Sequence, residues 1–266
     1  MAKSPLTRKA PLTGAFFFFW LLSFSLQGAC PVPGALPTHK VRNVVDGDTL
    51  RLVDGRSVRL IGLNAPELAR KGRSAEPYAQ AARRRLQQLV HDNGDRVALR
   101  LGREPRDHYG RTLAHLYDRL GRNLEERLLL EGLGFHVAFA PNGALVDCLA
   151  VAEREARRAG RGVWRQSPYR TPWQLRQSGF ALVGGTVTRV ERNRGGIWLQ
   201  LDGPLVLRVE PKRLGQFDVA ALRGLVGRRV EARGWVIDRG RRGGVNTMES
   251  RWMLPLTHNG MLEVLR

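Results

Sequence analysis

The sequence has little cysteine, little lysine and comparatively little acid. Only Cys30 and Cys148 occur in 266 residues, which excludes a disulfide-framework miniprotein and leaves room for one bridge at most. No paired-cysteine or clustered-histidine spacing is present; His39, His91, His108, His115, His136 and His258 are scattered, so no structural zinc site is expected. Apolar runs are short, and the longest, Ala15 to Leu26, has twelve residues, too few to cross a bilayer comfortably. Acid is outnumbered: 24 Asp and Glu face 44 Lys and Arg, a formal net charge of +20, and few of those cations are lysines. A field of this sign draws polyanions and binds phosphates by releasing counterions, so nucleic acid is the first partner to consider. Arginine-rich solvated faces would account for the same charge without any partner.

What is there begins with a targeting segment. Lys3, Arg8 and Lys9 precede the apolar run, and Gly28-Ala29 follows it with small residues, the pattern of a signal peptide over 1–29 and of export to the periplasm or the medium. Removing it takes away three cations and no anions, so the basic character belongs to the remainder. Cys30 admits two fates. Acylation of a new N-terminal cysteine would attach the chain to a membrane, as an uncleaved signal also would, although Gln27 stands where such signals carry an aliphatic residue. A disulfide is the other fate, and acylation would forbid it. No protein partner is indicated, and a monomer is expected.

After a Pro-rich linker, 30–38, the stretch 39–166 reads as α+β. Val41 to Val45, Thr49 to Val53 and Ser57 to Leu63 are β-rich runs broken by Asp-Gly turns, as in a meander. A helix is predicted from Pro77 to about His91, with Ala79, Ala82, Leu86 and Leu89 near helical spacing. Arg96 to Leu101 and Leu113 to Tyr117 read as further strands around a polar loop, and two more helices follow, Asn123 to Glu131 and Cys148 to Ala159. A second linker, 167–179, leads into 180–266, which is mainly β. Its five short strands, with one helix-like patch at Val219 to Leu225 after the third, match the order of an oligonucleotide-binding barrel.

Three ordered motifs stand in the first half: Val45-Asp46-Gly47-Asp48-Thr49, then Arg59-Leu60-Ile61-Gly62-Leu63-Asn64-Ala65-Pro66-Glu67, then Asp107-His108-Tyr109-Gly110-Arg111. An Asp-Gly-Asp alone is ordinary turn chemistry; its coincidence with the other two is specific. On these motifs the chain resembles the thermonuclease, or staphylococcal-nuclease-like, family over about half its length. The resemblance implies a five-stranded barrel of the oligonucleotide-binding kind with three helices, and metal-dependent hydrolysis of phosphodiesters by water attack at phosphorus, leaving 3′-phosphates.

It also implies roles. Arg59 and Arg111 match the family's catalytic arginines, whose planar forks bind phosphate oxygens in a way lysine does not copy. Glu67 matches its candidate general base. Asp48 matches the principal ligand of calcium, a hard cation that takes carboxylate, carbonyl and water oxygens; Asn64 and the Ala65 backbone carbonyl match two further ligands, with Asp46 behind them ordering water around the metal. Asn64 departs from the pattern, because the best-known members carry aspartate there, and one negative charge is missing. Asp107, His108 and Tyr109 match positions on the Arg111 loop near the substrate, and Phe139 takes the place of a base-stacking tyrosine.

In the second half, Trp198, Phe217, Trp235 and Trp252 lie among Arg192, Arg194, Arg233, Arg239, Arg241 and Arg242. Rings among cations can hold single strands; the competing expectation is that the tryptophans are core and the arginines loop residues. The functional expectation is an exported endonuclease acting on DNA, with RNA as a further substrate. The alternative is a catalytically weak nucleic-acid-binding or envelope-associated module that keeps the nuclease fold.

Overall fold

The computed structural model describes residues 30–31, 34–69, 72–240 and 251–265. The targeting segment 1–29, and Arg241 and Arg242, lie outside the described residues.

Alternating apolar residues and Asp-Gly turns build the opening meander of β1 (Thr38–Asp46), β2 (Thr49–Leu52) and β3 (Ser57–Leu60). Val44, Leu50, Leu52, Val58 and Leu60 face inward and are buried. After a short β4 (Leu63–Asn64) the chain enters α1 (Ala79–His91). The helix starts two residues later than the proline suggests, because Tyr78 adopts a left-handed φ of 68° that a right-handed helix excludes. Its buried stripe is Ala79, Ala82, Leu86, Leu89 and Val90. It feeds β5 (Arg96–Arg106) and β6 (Thr112–Tyr117). Parallel pairing of β3 with β6, and antiparallel pairing elsewhere, closes a barrel in the order β1-β2-β3-β6-β5. Two register shifts in β1 supply the bend that closure requires. The second helix is α2 (Leu124–Leu130), capped by Asn123, which accepts the Glu126 N–H at 2.8 Å. Then come a short β7 (Phe135–His136) and α3 (Val146–Arg158).

The second half adds β8 (Tyr169–Arg170), β9 (Gly179–Asn193), β10 (Gly196–Leu201), β11 (Leu205–Val209), α4 (Val219–Arg223), β12 (Arg229–Asp238), β13 (Trp252–Leu256) and β14 (Leu262–Val264). Pairing of β9 with β12 closes β9-β10-β11-β13-β12 into a second ring, again with third strand parallel to fifth. Both barrels share one winding, with a helix between strands three and four. This is the oligonucleotide-binding-type order.

A polar seam joins the barrels. Arg233 on β12 is 6 % exposed and donates to Glu153 of α3, to the His136 carbonyl at 3.2 Å and to Glu231 at 2.6 Å; Arg157 reaches Glu231 at 3.1 Å. Beside it Phe135, Phe180, Trp235 and Phe139 contact one another in sequence, centroids 5.2 to 5.5 Å apart. Arg233 therefore does not belong among the cations open to nucleic acid, because burying a guanidinium demands paired carboxylates. Trp252, 2 % exposed, is core.

Cys30 and Cys148 form a disulfide spanning 118 residues of chain, tying the segment ahead of β1 to α3. The bridge takes the sulfur that acylation of Cys30 would need, so a lipid anchor at this residue does not fit the structure. Among the described residues no helix is long and apolar enough to cross a membrane.

Candidate active site

Asp46 pairs with Thr49 across the β1–β2 hairpin, so Asp46-Gly47-Asp48 is its tip. A Cβ on Gly47 would stand 2.6 Å from both Ala65 Cβ and Ala82 Cβ. Glycine there lets α1 and the segment after β4 close over the turn. Asp46 and Asp48 are consequently buried, at 7 % and 6 % exposure. The Asp48 backbone N–H donates to Asp46 Oδ1 at 3.3 Å; the Ala65 N–H donates to Asp48 Oδ2 at 2.8 Å, and the Thr49 hydroxyl to Asp48 Oδ1 at 3.0 Å. Burial, joined by the adjacent Asp46 carboxylate, holds the Asp48 carboxyl well above the usual range against the pull of Arg59.

Arg59 lies on the outward alternation of β3. Its Nη1 donates to the carbonyls of Leu60 at 2.9 Å and Leu63 at 2.7 Å; its Nη2 meets Asp48 Oδ2 at 3.0 Å and Asn64 Oδ1 at 3.3 Å. Parallel pairing sets Leu113 beside Arg59, and Arg111 ends the turn that leads into β6, so both arginines come from the β3–β6 side of the barrel. The Arg111 turn stabilises itself. Asp107 Oδ1 accepts the N–H groups of Tyr109 and Arg111 at 3.0 and 2.9 Å, and Oδ2 accepts Arg111 Nε at 2.7 Å; Gly110 supplies a φ of 78°. Burial raises the Asp107 carboxyl, but the Arg111 hydrogen bonds outweigh it and leave the group below its ordinary value.

The remaining candidates are looser. Glu67 is exposed, and its backbone N–H and carbonyl pair with the Glu76 carboxylate and N–H, both at 2.9 Å. His108 and Tyr109 are exposed with rings 3.7 Å apart, and Arg111 lies 5.4 Å from the Tyr109 ring centre. Phe139 packs on Trp235 of the second barrel at 5.5 Å, so the expected base-stacking ring sits at the seam. The carbonyls of Leu60 and Leu63 that hold Arg59 were not named from sequence, because a backbone acceptor carries no side-chain signature.

The donors around Asp48 suit a hard cation. Asp46, Asp48, Asn64 and the Ala65 carbonyl offer only oxygen, and the two carboxylates are buried beside a single guanidinium, a set that fits calcium and no thiophilic metal. Among the described residues no three His, Cys, Asp or Glu side chains gather into a metal-ready cluster.

Residues 57–166 match the model of the Staphylococcal nuclease homologue family. The chain is 34 % identical over 133 residues to Thermonuclease of Staphylococcus intermedius, covering 48 % of this chain and 77 % of that protein. It is 30 % identical over 131 residues to Thermonuclease of Staphylococcus hyicus, covering 48 % and 75 %. Against Endonuclease YncB of Bacillus subtilis (strain 168) it is 33 % identical over 132 residues, covering 48 % and 61 %. With the barrel closed and these relatives matched, the chain belongs to the staphylococcal nuclease homologue family.

Proposed function

We propose that this chain, a nuclease by family, is an exported endonuclease that hydrolyses internal phosphodiester bonds of DNA, and of RNA as a second substrate, with little sequence preference and with a divalent metal, calcium, as cofactor. Residues 39–166 would form the catalytic unit and 180–266 a separate one. The observation that carries the proposal is the fixed guanidinium of Arg59 on the side of the barrel shared with Arg111.

A phosphodiester is already an anion, and attack at phosphorus places more charge on its equatorial oxygens. Arg59, held through Nη1 by two carbonyls, and Arg111, oriented by Asp107, supply preorganised positive charge, and such donors lower barriers most when they need no rearrangement. Nη2 of Arg59 rests on the side-chain oxygens of Asp48 and Asn64; turning it toward phosphate requires other positive charge on those oxygens. That is the charge calcium brings when bound, together with polarisation of a phosphate oxygen. Glu67, exposed three residues after Asn64, would take the proton of the attacking water. Tyr109 and His108 stand on the Arg111 turn, within reach of the flanking nucleotide. The Cys30–Cys148 bridge supports export, since such bonds persist in oxidising compartments.

The test is release of acid-soluble nucleotides from DNA by the mature chain, with calcium and with chelator, beside an Arg59→Ala/Glu67→Ala control. Calcium-dependent release by wild type alone supports the proposal. No calcium-dependent release by wild type beyond the control would leave only a nucleic-acid-binding module.

A further inference from the structure

The outer face of the second barrel has no part in the chemistry above. Register places Trp198 of β10 directly between Glu191 of β9 and Arg208 of β11, with Arg189, Gln200 and Val206 in the adjacent row. Ile197, Leu199, Leu207 and Val209, the sequence neighbours of Trp198 and Arg208, are buried in the core, so alternation turns Trp198 outward. Its indole N–H donates to Asn193 at 2.9 Å, which fixes the ring, and the guanidinium carbons of Arg208 and Arg239 lie 4.9 and 5.7 Å from its centre. A cavity of about 210 Å³ opens there, lined by Arg189, Glu191, Asn193, Gln200 and Arg239 around the ring.

We propose that this face is a second binding site, for a single-stranded stretch of nucleic acid, with a base stacked on Trp198 and phosphates on Arg208 and Arg239. The choice of polymer rests on the nuclease proposal; the site itself rests on placement. Strands two and three, flanked by the loops after strands one and four, form the face that oligonucleotide-binding barrels present to ligand. In the first barrel the same regions hold Asp46 to Asp48, Arg59 and Arg111. Here strand three carries Arg208, the loop after strand four carries Arg239, and the loop after strand one is Asn193-Arg194-Gly195-Gly196. Cations are retained, but the hairpin tip carries no carboxylate to match Asp46 and Asp48, so the second barrel binds without cutting. Glu191 pairs with Arg189 at 3.2 Å and Glu210 with Arg208 at 3.8 Å, but exposed pairs of this kind are weak and yield to a phosphate. A ring whose face must accept a base selects unstacked single strands.

The experiment measures fluorescence anisotropy of a labelled oligothymidylate with the full chain in chelator, alongside calcium-dependent cleavage of a dinucleotide too short to span both barrels. Trp198→Ala is expected to weaken binding at least about fivefold, and Trp198→Phe, which keeps a ring, to stay within about twofold. Arg208→Gln/Arg239→Gln is expected to weaken binding and reduce its salt slope by roughly 1 to 2; it also tests the site if Trp198→Ala fails to fold. Dinucleotide cleavage by the folded variants should match wild type. Unchanged oligonucleotide affinity in the folded variants, or duplex preferred over single strand, overturns the second site while leaving the nuclease proposal intact. Trp198-dependent binding without any cleavage by wild type upholds the site and removes the nuclease proposal instead.

Discussion

The two barrels are wound alike and equipped differently. In both, strand three runs parallel to strand five and a helix separates strands three and four. The first barrel sets a 13-residue helix over its first hairpin, and that cover buries Asp46 and Asp48. The second has a five-residue helix at the corresponding point of the chain, and its first hairpin carries Asn193 and two glycines. Burial is what turns a hairpin carboxylate into a site, because desolvation makes the charge costly and so creates demand for a cation. The two barrels share their winding, and the hairpin with its cover is where they differ.

The largest expected effect concerns whether the barrels are separable at all. Arg233→Ala leaves Glu153 and Glu231, 4 % and 1 % exposed, facing each other without their shared cation; losing one partner of a buried ionic cluster costs about 3–5 kcal/mol. Urea unfolding should show one transition moved to lower denaturant. Two transitions, with only one of them moved, would mean that the barrels are stable independently and the seam is incidental. Next comes the contrast between matching arginines. Arg59→Ala should lower kcat on DNA about 10²–10³-fold, as loss of one preorganised transition-state donor typically does. Arg208→Ala should leave kcat within about twofold, because the hairpin of the second barrel carries no buried carboxylates like Asp46 and Asp48. Equal losses would break the distinction between a cutting and a holding barrel.

Much of this was legible in the sequence, unevenly. The strands of both barrels are legible because one face of each is core, and period-two alternation records that directly. Arg59, Arg111 and Asp48 stand out through motif context, and packing sets Arg59 against Asp48 at 3.0 Å. The seam was not legible. Arg233 looks like any other arginine in a basic chain, and only tertiary packing brings Glu153, 80 residues away, against it. Phe139 packs on Trp235, a contact that no local pattern encodes. The disulfide was one of two fates open to Cys30, and sequence spacing does not decide between an acyl group and a partner 118 residues on.

A third prediction uses the seam's pH dependence. Burial, with Arg233 next in weight, pushes the His136 imidazole down to about 3 from 6.5, and its Nε2 has no hydrogen-bond partner among the described residues. Between those values the unfolded chain binds a proton that the folded chain refuses, so this contribution to stability is complete above pH 6.5 and is lost as pH falls toward 3. The loss approaches about 1.4 kcal/mol per pH unit. Unfolding free energies of wild type and His136→Gln, measured from pH 7 to 4, should therefore converge or cross on the acid side. A constant gap would show that His136 takes up its proton as readily in the folded chain as in the unfolded one.

The smallest effect bears most directly on the difference between the barrels. Asn64→Asp adds a carboxylate beside Asp48 at the first hairpin, and calcium affinity in oxygen-donor sites rises with ligand charge, so half-maximal activity should need about tenfold less calcium. The same change strengthens the bond that Arg59 Nη2 already makes to residue 64 at 3.3 Å, since a charged acceptor holds a guanidinium more tightly than an amide. Calcium affinity and turnover should therefore separate, with the calcium requirement falling and kcat at saturating calcium not rising. The matching substitution in the second barrel, Asn193→Asp, should leave the calcium profile unchanged, because that hairpin lacks both the buried partner carboxylate and the helix that would desolvate it. A rise in the calcium requirement of Asn64→Asp would remove Asn64 from the ligand set and leave Arg59, rather than the metal, as its reason for facing the hairpin.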